Sequence, residues 1–463
     1  MNESIRNVAV IDIGKTHAKL IVVDGASGEE LASRRTANRV LSGPPYPHYD
    51  IDALWNFILE GLTAFSQAPG YQAISITTHG ASAALIDAAG ALTLPVLDYE
   101  HAYPLDIQKN YAELRPAFRE TYSPGLPIGL NLGAQLHYQK SAFHDAFAHV
   151  SAILTYPQYW AYRLTGIKAS EATSLGCHTD LWRPDAGVFS SLPKRLGIDG
   201  LFPQVRSAFD MLGPVLQEIA GRIGIGSNMP VYCGLHDSNA SLLPHLMVRE
   251  GSFAVVSTGT WVVCFGVGAS LEKLDPARDT LVNVDAFGKP VPSARFMGGR
   301  EFEILTAGIG PVLPDALERA CERVVMEGII YLPSAVDGSG PFPGKAGRWL
   351  REPRDDAERH VAACLYAAMM TATCLDLVGN SGPVIIEGPF AGNLVYAGAL
   401  AAVTGAEVLV ADGKSPSGTA LGAALLATRH APRQSYHPVE PLAGLSDYHA
   451  KWRGMVDAVQ IKA

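Results

Sequence analysis

An α/β fold built from two similar halves is predicted by three features of this 463-residue sequence. Short apolar runs rich in β-branched residues alternate with longer segments that carry apolar residues at helical spacing. A tight polar turn between two apolar runs opens the chain, around Asp12, and the same device returns around Ser257. The second copy starts close to mid-chain, so duplication accounts for it, with domains expected at residues 1–245 and 246–463. A cleft between two such halves is the expected place for a ligand.

The elements follow in order. Residues 8–11 and 20–23 read as the strands of a hairpin around Asp12-Ile-Gly-Lys-Thr16, and Asp24-Gly25 makes the next turn. Residues 53–66 have helical spacing with Asp50 or Asp52 as the cap, and residues 73–78 form a strand that runs into His79-Gly80. Residues 157–166 form a helix, with Pro157 suited to the first turn and Gly166 to the C-terminal cap. At residues 231–240 a β-like run delivers His236 and Asp237 to a corner from which a helix leaves. The second hairpin pairs residues 253–256 with 262–265 around Ser257-Thr-Gly-Thr260. A long helix over 353–379, a strand at 383–386, a helix at 394–404, a strand at 407–411 and a small-residue helix at 418–429 complete the second half.

Composition narrows the function. With 36 Lys and Arg against 45 Asp and Glu the net charge is −9, and no basic run is present to neutralise phosphates, so nucleic acid is excluded as a partner. With 48% hydrophobic and 17% charged residues the chain is too apolar for disorder. The early apolar run is too short for a secretory signal, and the longest apolar run, 360–379, carries Asp376 and reads as a core helix, so no membrane partner is expected. Six scattered cysteines read as reduced, buried thiols of a cytoplasmic protein rather than as a metal cluster.

Three segments carry chemistry. In the first turn Gly14 lets the backbone approach a bound group, Lys15 and Thr16 offer donors to phosphate, and Asp12 is placed to hold Mg²⁺; the other reading is an ordinary polar turn. The spacing does not match a Walker loop, and Gly221–Gly226 does not match a dinucleotide fingerprint. Ser257, Thr258, Gly259 and Thr260 supply hydroxyls and a glycine on a matching turn, so the two turns together would clamp a phosphoryl group. Asp237 could accept a proton from an attacking hydroxyl, or serve as the cap of a helix beginning at Ser238.

Taken together these segments resemble the FGGY carbohydrate kinases, within the actin-like sugar kinase superfamily, over essentially the whole chain. Asp12 to Lys19 resembles the family's first phosphate loop, 153–166 its stretch ending Tyr-Arg-Leu-Thr-Gly, and 171–182 the stretch after that. Gly234 to Ala240 is similar to its Gly-x-x-Asp-x-x-Ala segment, 257–260 to its second phosphate loop, and 417–424 to its C-terminal Ala-x-Gly-Ala-Ala helix. The resemblance implies two ribonuclease-H-like domains and an ATP- and Mg²⁺-dependent sugar kinase, with Asp237 as base. Asp12 and Asp237 would be the metal partners, and Asp12, Gly14, Lys15, Thr16, Lys19, Ser257, Thr258, Gly259, Thr260, Gly388, Gly392 and Asn393 would form the nucleotide site. His79 and Gly80 resemble a sugar-contacting corner of xylulose kinases. His236 would bind sugar or tune Asp237, and Trp261 would shape the sugar pocket or lie in the core. Arg300 and Glu301 fall in a Gly-rich loop that could face the cleft.

Three departures qualify the resemblance. Lys15 replaces the usual Thr, Pro389-Phe390 replaces glycines in the adenosine loop, and 331–340 lacks the Glu and Arg of a Gly-Glu-Arg loop. The expected acceptor is a ketose, L-rhamnulose or L-fuculose ahead of D-xylulose, D-ribulose or a polyol; a non-catalytic sugar or nucleotide sensor is the reading from another class. The partner is a small sugar, and a homodimer is the assembly considered.

Overall fold

The computed structural model describes residues 5–412 and 418–458, and these fall into two compact units. Unit 1 comprises residues 1–250, 282–290 and 415–433, and unit 2 comprises 251–281, 291–414 and 434–463. Five strands form the centre of unit 1: β1 (Asn7–Ile13), β2 (His17–Asp24), β3 (Glu30–Ala37), β4 (Ala73–Thr78) and β5 (Pro230–Tyr232). They lie in the order β5-β4-β1-β2-β3, with β1–β4 and β4–β5 parallel and β1–β2 and β2–β3 antiparallel. Five strands of unit 2, β6 (Phe253–Thr258), β7 (Val262–Val267), β8 (Pro290–Phe296), β9 (Val384–Glu387) and β10 (Val408–Ala411), lie in the order β10-β9-β6-β7-β8. Here too β6 is parallel to β9, β9 is parallel to β10, and β7 is antiparallel to both β6 and β8. The duplication read from two turns is therefore a duplication of a whole strand order.

Six helices matter for the site: α1 (Ile51–Phe65), α2 (Tyr156–Thr165), α3 (Asp237–Val248), α4 (Asp356–Val378), α5 (Leu394–Thr404) and α6 (Gly418–Thr428). Asp50 caps α1 by accepting from the Ala53 N–H, and Pro157 sits in the first turn of α2, which Gly166 closes at φ 72°. The strand interiors, Val8 to Ile11 and Phe253 to Val256, are fully buried, as expected where a parallel sheet has cover on both faces. Helix α4 starts at Asp356, three residues later than its periodicity suggests, because Asp355 takes the N-cap and accepts from the Glu358 N–H. It is long and apolar enough to cross a membrane, but it is buried in the core of unit 2. All six cysteines are buried free thiols.

A single boundary near residue 245 does not describe the compact units. Helix α6, expected in the second half, belongs to unit 1 because it packs on α3 with almost no space between the backbones. A Cβ at Gly422 would lie 1.7 Å from the Ala240 carbonyl oxygen, and Ser241 Oγ meets Thr419 Oγ1 at 2.8 Å. Ser417, the first residue of that expected stretch, lies outside the described residues. Gly224, in the rejected Gly221–Gly226 fingerprint, is the left-handed cap of a helix at Gln217–Ile223.

Candidate active site

Strand β1 brings Asp12 to the mouth of the first turn, opposite Lys19 in register on β2. Burial, with the negative charge of Asp237 second, pushes the Asp12 carboxyl from its ordinary 3.8 up to about 7, and Lys19 opposes the shift. The turn itself is tight: the Gly14 N–H donates to the His17 carbonyl at 2.9 Å, and the Gly14 carbonyl accepts from Asn38 Nδ2 at 2.9 Å. Gly14 thus contributes close approach rather than a spare donor. Thr16 is exposed, its hydroxyl 3.0 Å from His17 Nδ1.

Lys15 is placed differently from the expectation of a phosphate contact. Its ammonium is ion-paired with Asp98, lies 3.4 Å from Glu100, and sits over the rings of Tyr99 and Tyr49 at 4.7 and 5.2 Å. Partners this close hold a cation more firmly than an open turn can. The same tyrosines surround His79, with ring centroids 5.2 Å away for Tyr49, 5.5 Å for Tyr99 and 5.1 Å for Tyr156.

His79 donates from Nδ1 to the Gly80 carbonyl at 2.8 Å, which leaves Nε2 as an acceptor; that atom is buried and has no partner among the described residues. The ring is bonded to a backbone carbonyl, as a core histidine would be, and still presents a hydrogen-bond acceptor. Gly80 is required beside it: a Cβ there would lie 2.9 Å from His236 Nε2 and 3.1 Å from Cys177 Sγ. Burial lowers both His79 and His236 to about 4, so each ring is neutral at pH 7.

The corner before α3 gathers the remaining groups. Asp237 is the first residue of α3, with His236 at the cap position, so the expectation of Asp237 as cap of a helix from Ser238 is corrected. Its carboxylate accepts from the Ser238 N–H at 2.6 Å, and its side chain remains 31% exposed. Burial raises Asp237 above the ordinary carboxylate range, with His79 opposing the shift. The Asn239 amide nitrogen, as assigned, faces His236 Nδ1 at 3.1 Å, which leaves the ring proton on Nε2, 3.2 Å from Asp237 Oδ1. The same Nε2 lies 3.4 Å from Cys177 Sγ, so the ring stands between that thiol and the Asp237 carboxylate. Asp237 itself is open on one side and close to Asp12, which suits it to take a proton from a hydroxyl or to share a cation.

In unit 2 the second turn has the same length as the first, three residues between strand ends, and the Gly259 N–H donates to the Trp261 carbonyl at 2.9 Å. Ser257 is half-buried in register with Glu387, and Thr260 follows Gly259 on the exposed turn. The Thr258 hydroxyl is already committed: it donates to the Glu387 carbonyl at 2.5 Å and accepts from the Phe390 N–H at 3.1 Å. Thr258 therefore ties the turn to the 388–393 loop instead of offering a phosphate donor. Gly388 has φ 81°, and a Cβ there would lie 2.0 Å from the Thr258 carbonyl oxygen. Phe390 is buried against Phe302 and Tyr396, which is how a loop lacking the family's glycines holds its shape. Asn393 caps α5 by accepting from the Tyr396 N–H, and its amide nitrogen is 3.2 Å from Cys364 Sγ, so its side chain is engaged within the fold.

Gly392, Asn393, Leu394, Leu317 and Cys321 border an apolar groove of about 1240 Å³. Trp261 sits on the unit 2 turn under the Arg295 guanidinium, 5.0 Å from the ring centroid, and is 36% exposed, so it is not a core indole. Arg300 and Glu301 lie on a helix, Gly298–Leu305, rather than in a loop. Arg300 pairs with Glu303, and the Glu301 carboxylate is buried, accepting from Tyr366 at 2.5 Å and from the Val336 N–H at 3.4 Å.

The structure thus gathers Asp12, Lys19, His79, Gly80, His236 and Asp237 in unit 1. It adds Tyr99 and Asp98, which carried no sequence signal because aromatic and acidic residues in a loop are not distinctive, and Cys177, which lies in the family-like stretch 171–182 and 3.4 Å from His236 Nε2. Sequence spacing also could not show that Lys15, Thr258 and Asn393 are occupied by internal partners.

A family profile described as "FGGY family of carbohydrate kinases, N-terminal domain" matches residues 8–244, and one described as "Carbohydrate kinase FGGY, C-terminal domain" matches residues 250–435. The crystal structure of a carbohydrate kinase from Novosphingobium aromaticivorans superposes with a TM-score of 0.92 at 37% identity, over 98% of this chain and 99% of that one. An L-fuculokinase of Salmonella typhi is 23% identical over 269 residues, 55% of each chain. A rhamnulokinase of Halalkalibacterium halodurans is 23% identical over 262 residues, 54% of each. The chain spans about half the length of these curated relatives.

Proposed function

Since this chain belongs to the FGGY family of carbohydrate kinases, with the family's two-domain α/β fold, we propose that it transfers the γ-phosphoryl group of ATP to a primary hydroxyl of a ketose. The observation that carries the reading is Asp237: a carboxylate at the start of a helix, open on one side, held by the Ser238 N–H, 3.2 Å from His236 Nε2 and beside Asp12. In that role Asp237 accepts the proton of the attacking hydroxyl. His79 Nε2 accepts from a sugar hydroxyl, which would give a buried orphan its partner, and Tyr99 and Tyr49 supply the apolar face that a sugar ring packs against.

The donor set fits magnesium, because burial and the charge of Asp237 keep Asp12 from ionising until about pH 7, a cost that a divalent cation relieves. Asp12 and Asp237 would hold it, and the ion, when bound, neutralises phosphate charge. The groove beside Gly392 and Asn393 has the size and apolar lining that a purine needs, and Gly388 lets the loop bordering it pack close against Thr258. Gly14, Thr16, Gly259 and Thr260, on the two turns, and Lys19 and Ser257, on the strands beside them, remain the phosphate-facing candidates. L-Rhamnulose and L-fuculose lead among acceptors, supported by the names of the curated relatives at low identity.

The test is ADP release from Mg-ATP over L-rhamnulose, L-fuculose, D-xylulose, D-ribulose and glycerol. Release that depends on one of the ketoses is the expected result. Sugar binding by calorimetry without any ADP release would instead make the protein a sensor.

A further inference from the structure

Two stretches that resemble the family, 153–166 and 171–182, hold none of the proposed chemistry, yet both reach the corner that carries Asp237. From α2, the fully buried Gln158 donates its amide to the Cys233 carbonyl at 3.0 Å and to the Gly234 carbonyl at 3.1 Å. Gly234 cannot give way, since its φ is 82° and a Cβ there would lie 2.6 Å from the Ile76 carbonyl oxygen. From the other side, the fully buried Thr173 accepts the His236 N–H at 2.9 Å and donates its own proton to Glu171 Oε2 at 2.6 Å. Glu171 is buried as well, and it also accepts the Thr173 and Ser174 N–H groups, at 2.8 and 3.1 Å. A hydroxyl bound on both sides has one rotamer, so the His236 backbone is fixed at the residue from which Asp237 and its helix start.

We propose that Thr173, anchored by Glu171, is a positioning residue for the carboxylate of Asp237, with Gln158 holding the same corner from the opposite side. The proposal rests on Asp237 being the general base. Thr173 and Gln158 together set the angle at which the base meets the substrate hydroxyl.

Thr173→Val removes the hydroxyl at nearly constant volume, and Thr173→Ser keeps it. The assay uses Mg-ATP with whichever of L-rhamnulose, L-fuculose and D-xylulose is turned over fastest. Thr173→Val should lower kcat by about 10- to 100-fold while KM for sugar and for ATP stays within about threefold. Thr173→Ser should restore kcat to within about threefold of the parent. Placed on Asp237→Asn, Thr173→Val should cost no more than about twofold, because a residue that acts through the base has nothing left to act on. Full additivity in that double variant, or normal kcat in Thr173→Val beside an inactive Asp237→Asn, overturns the positioning role and leaves the base in place. Near-normal turnover in Asp237→Asn removes the base reading instead. Should Thr173→Val fail to fold, Gln158→Met puts the same cycle to the other side of the corner, with the same pattern expected and the same additivity contradicting it.

Discussion

Lys15 and Asp237 show how far a side chain's partners decide its role. Asp237→Asn keeps the shape and removes the base, so kcat should fall by about two to four orders of magnitude, the range for a lost general base. Lys15 is engaged with Asp98, Glu100 and two tyrosines that also face His79. Lys15→Thr, which restores the family's usual residue, should therefore raise KM for sugar by about tenfold and leave KM for ATP nearly unchanged. A larger effect on ATP would return Lys15 to the phosphates. At this scale the sequence was informative about placement where a residue ends a strand or opens a helix, as for Asp12 and Asp237. It was silent where the partner is distant in the chain: the Thr258 hydroxyl is taken by residues about 130 positions away, which no local spacing reveals.

The loop after β9 is the element in which this chain departs most from its family, and it is held by two devices. Phe390 packs into the core of unit 2, and Gly388 adopts a backbone conformation that a side chain would block against Thr258. Gly388→Ala should push the loop off the β6 turn, lowering the thermal midpoint by several degrees and raising KM for ATP more than KM for sugar. Equal KM values with a normal midpoint would detach this loop from nucleotide binding. Most elements were legible because their caps are local: Asp50 before α1, Gly166 after α2 and Gly405 after α5 all do what their types favour. The helix at Gly298–Leu305 was not, since two glycines at its start read as a loop. Gly299 is there because a Cβ would lie 2.1 Å from the Gly259 carbonyl oxygen, a tertiary demand with no local trace.

For the molecule as a whole, two repeated strand orders were visible in one repeated turn, but the assignment of α6 to unit 1 was not. It depends on Gly422 meeting Ala240, a contact between residues far apart in the sequence. Acidity ties the site to the stability of the whole chain. Asp12 holds its proton more tightly when folded, so its contribution is present below about pH 4 and is lost as pH rises through about 7. Without magnesium, the thermal midpoint of the parent should therefore fall relative to Asp12→Asn over that interval. Because protons and magnesium compete for the same carboxylate, the stabilisation by magnesium should be larger at pH 8 than at pH 6, and this difference should vanish in Asp12→Asn. A magnesium effect independent of pH would place the cation elsewhere. The central claim is phosphoryl transfer to a ketose, and ADP release measured with Mg-ATP in the presence and absence of each sugar tests it most directly. Release should require L-rhamnulose or another ketose and be lost in Asp237→Asn; release that no sugar stimulates, or that survives Asp237→Asn, would rule out a ketose kinase with Asp237 as its base.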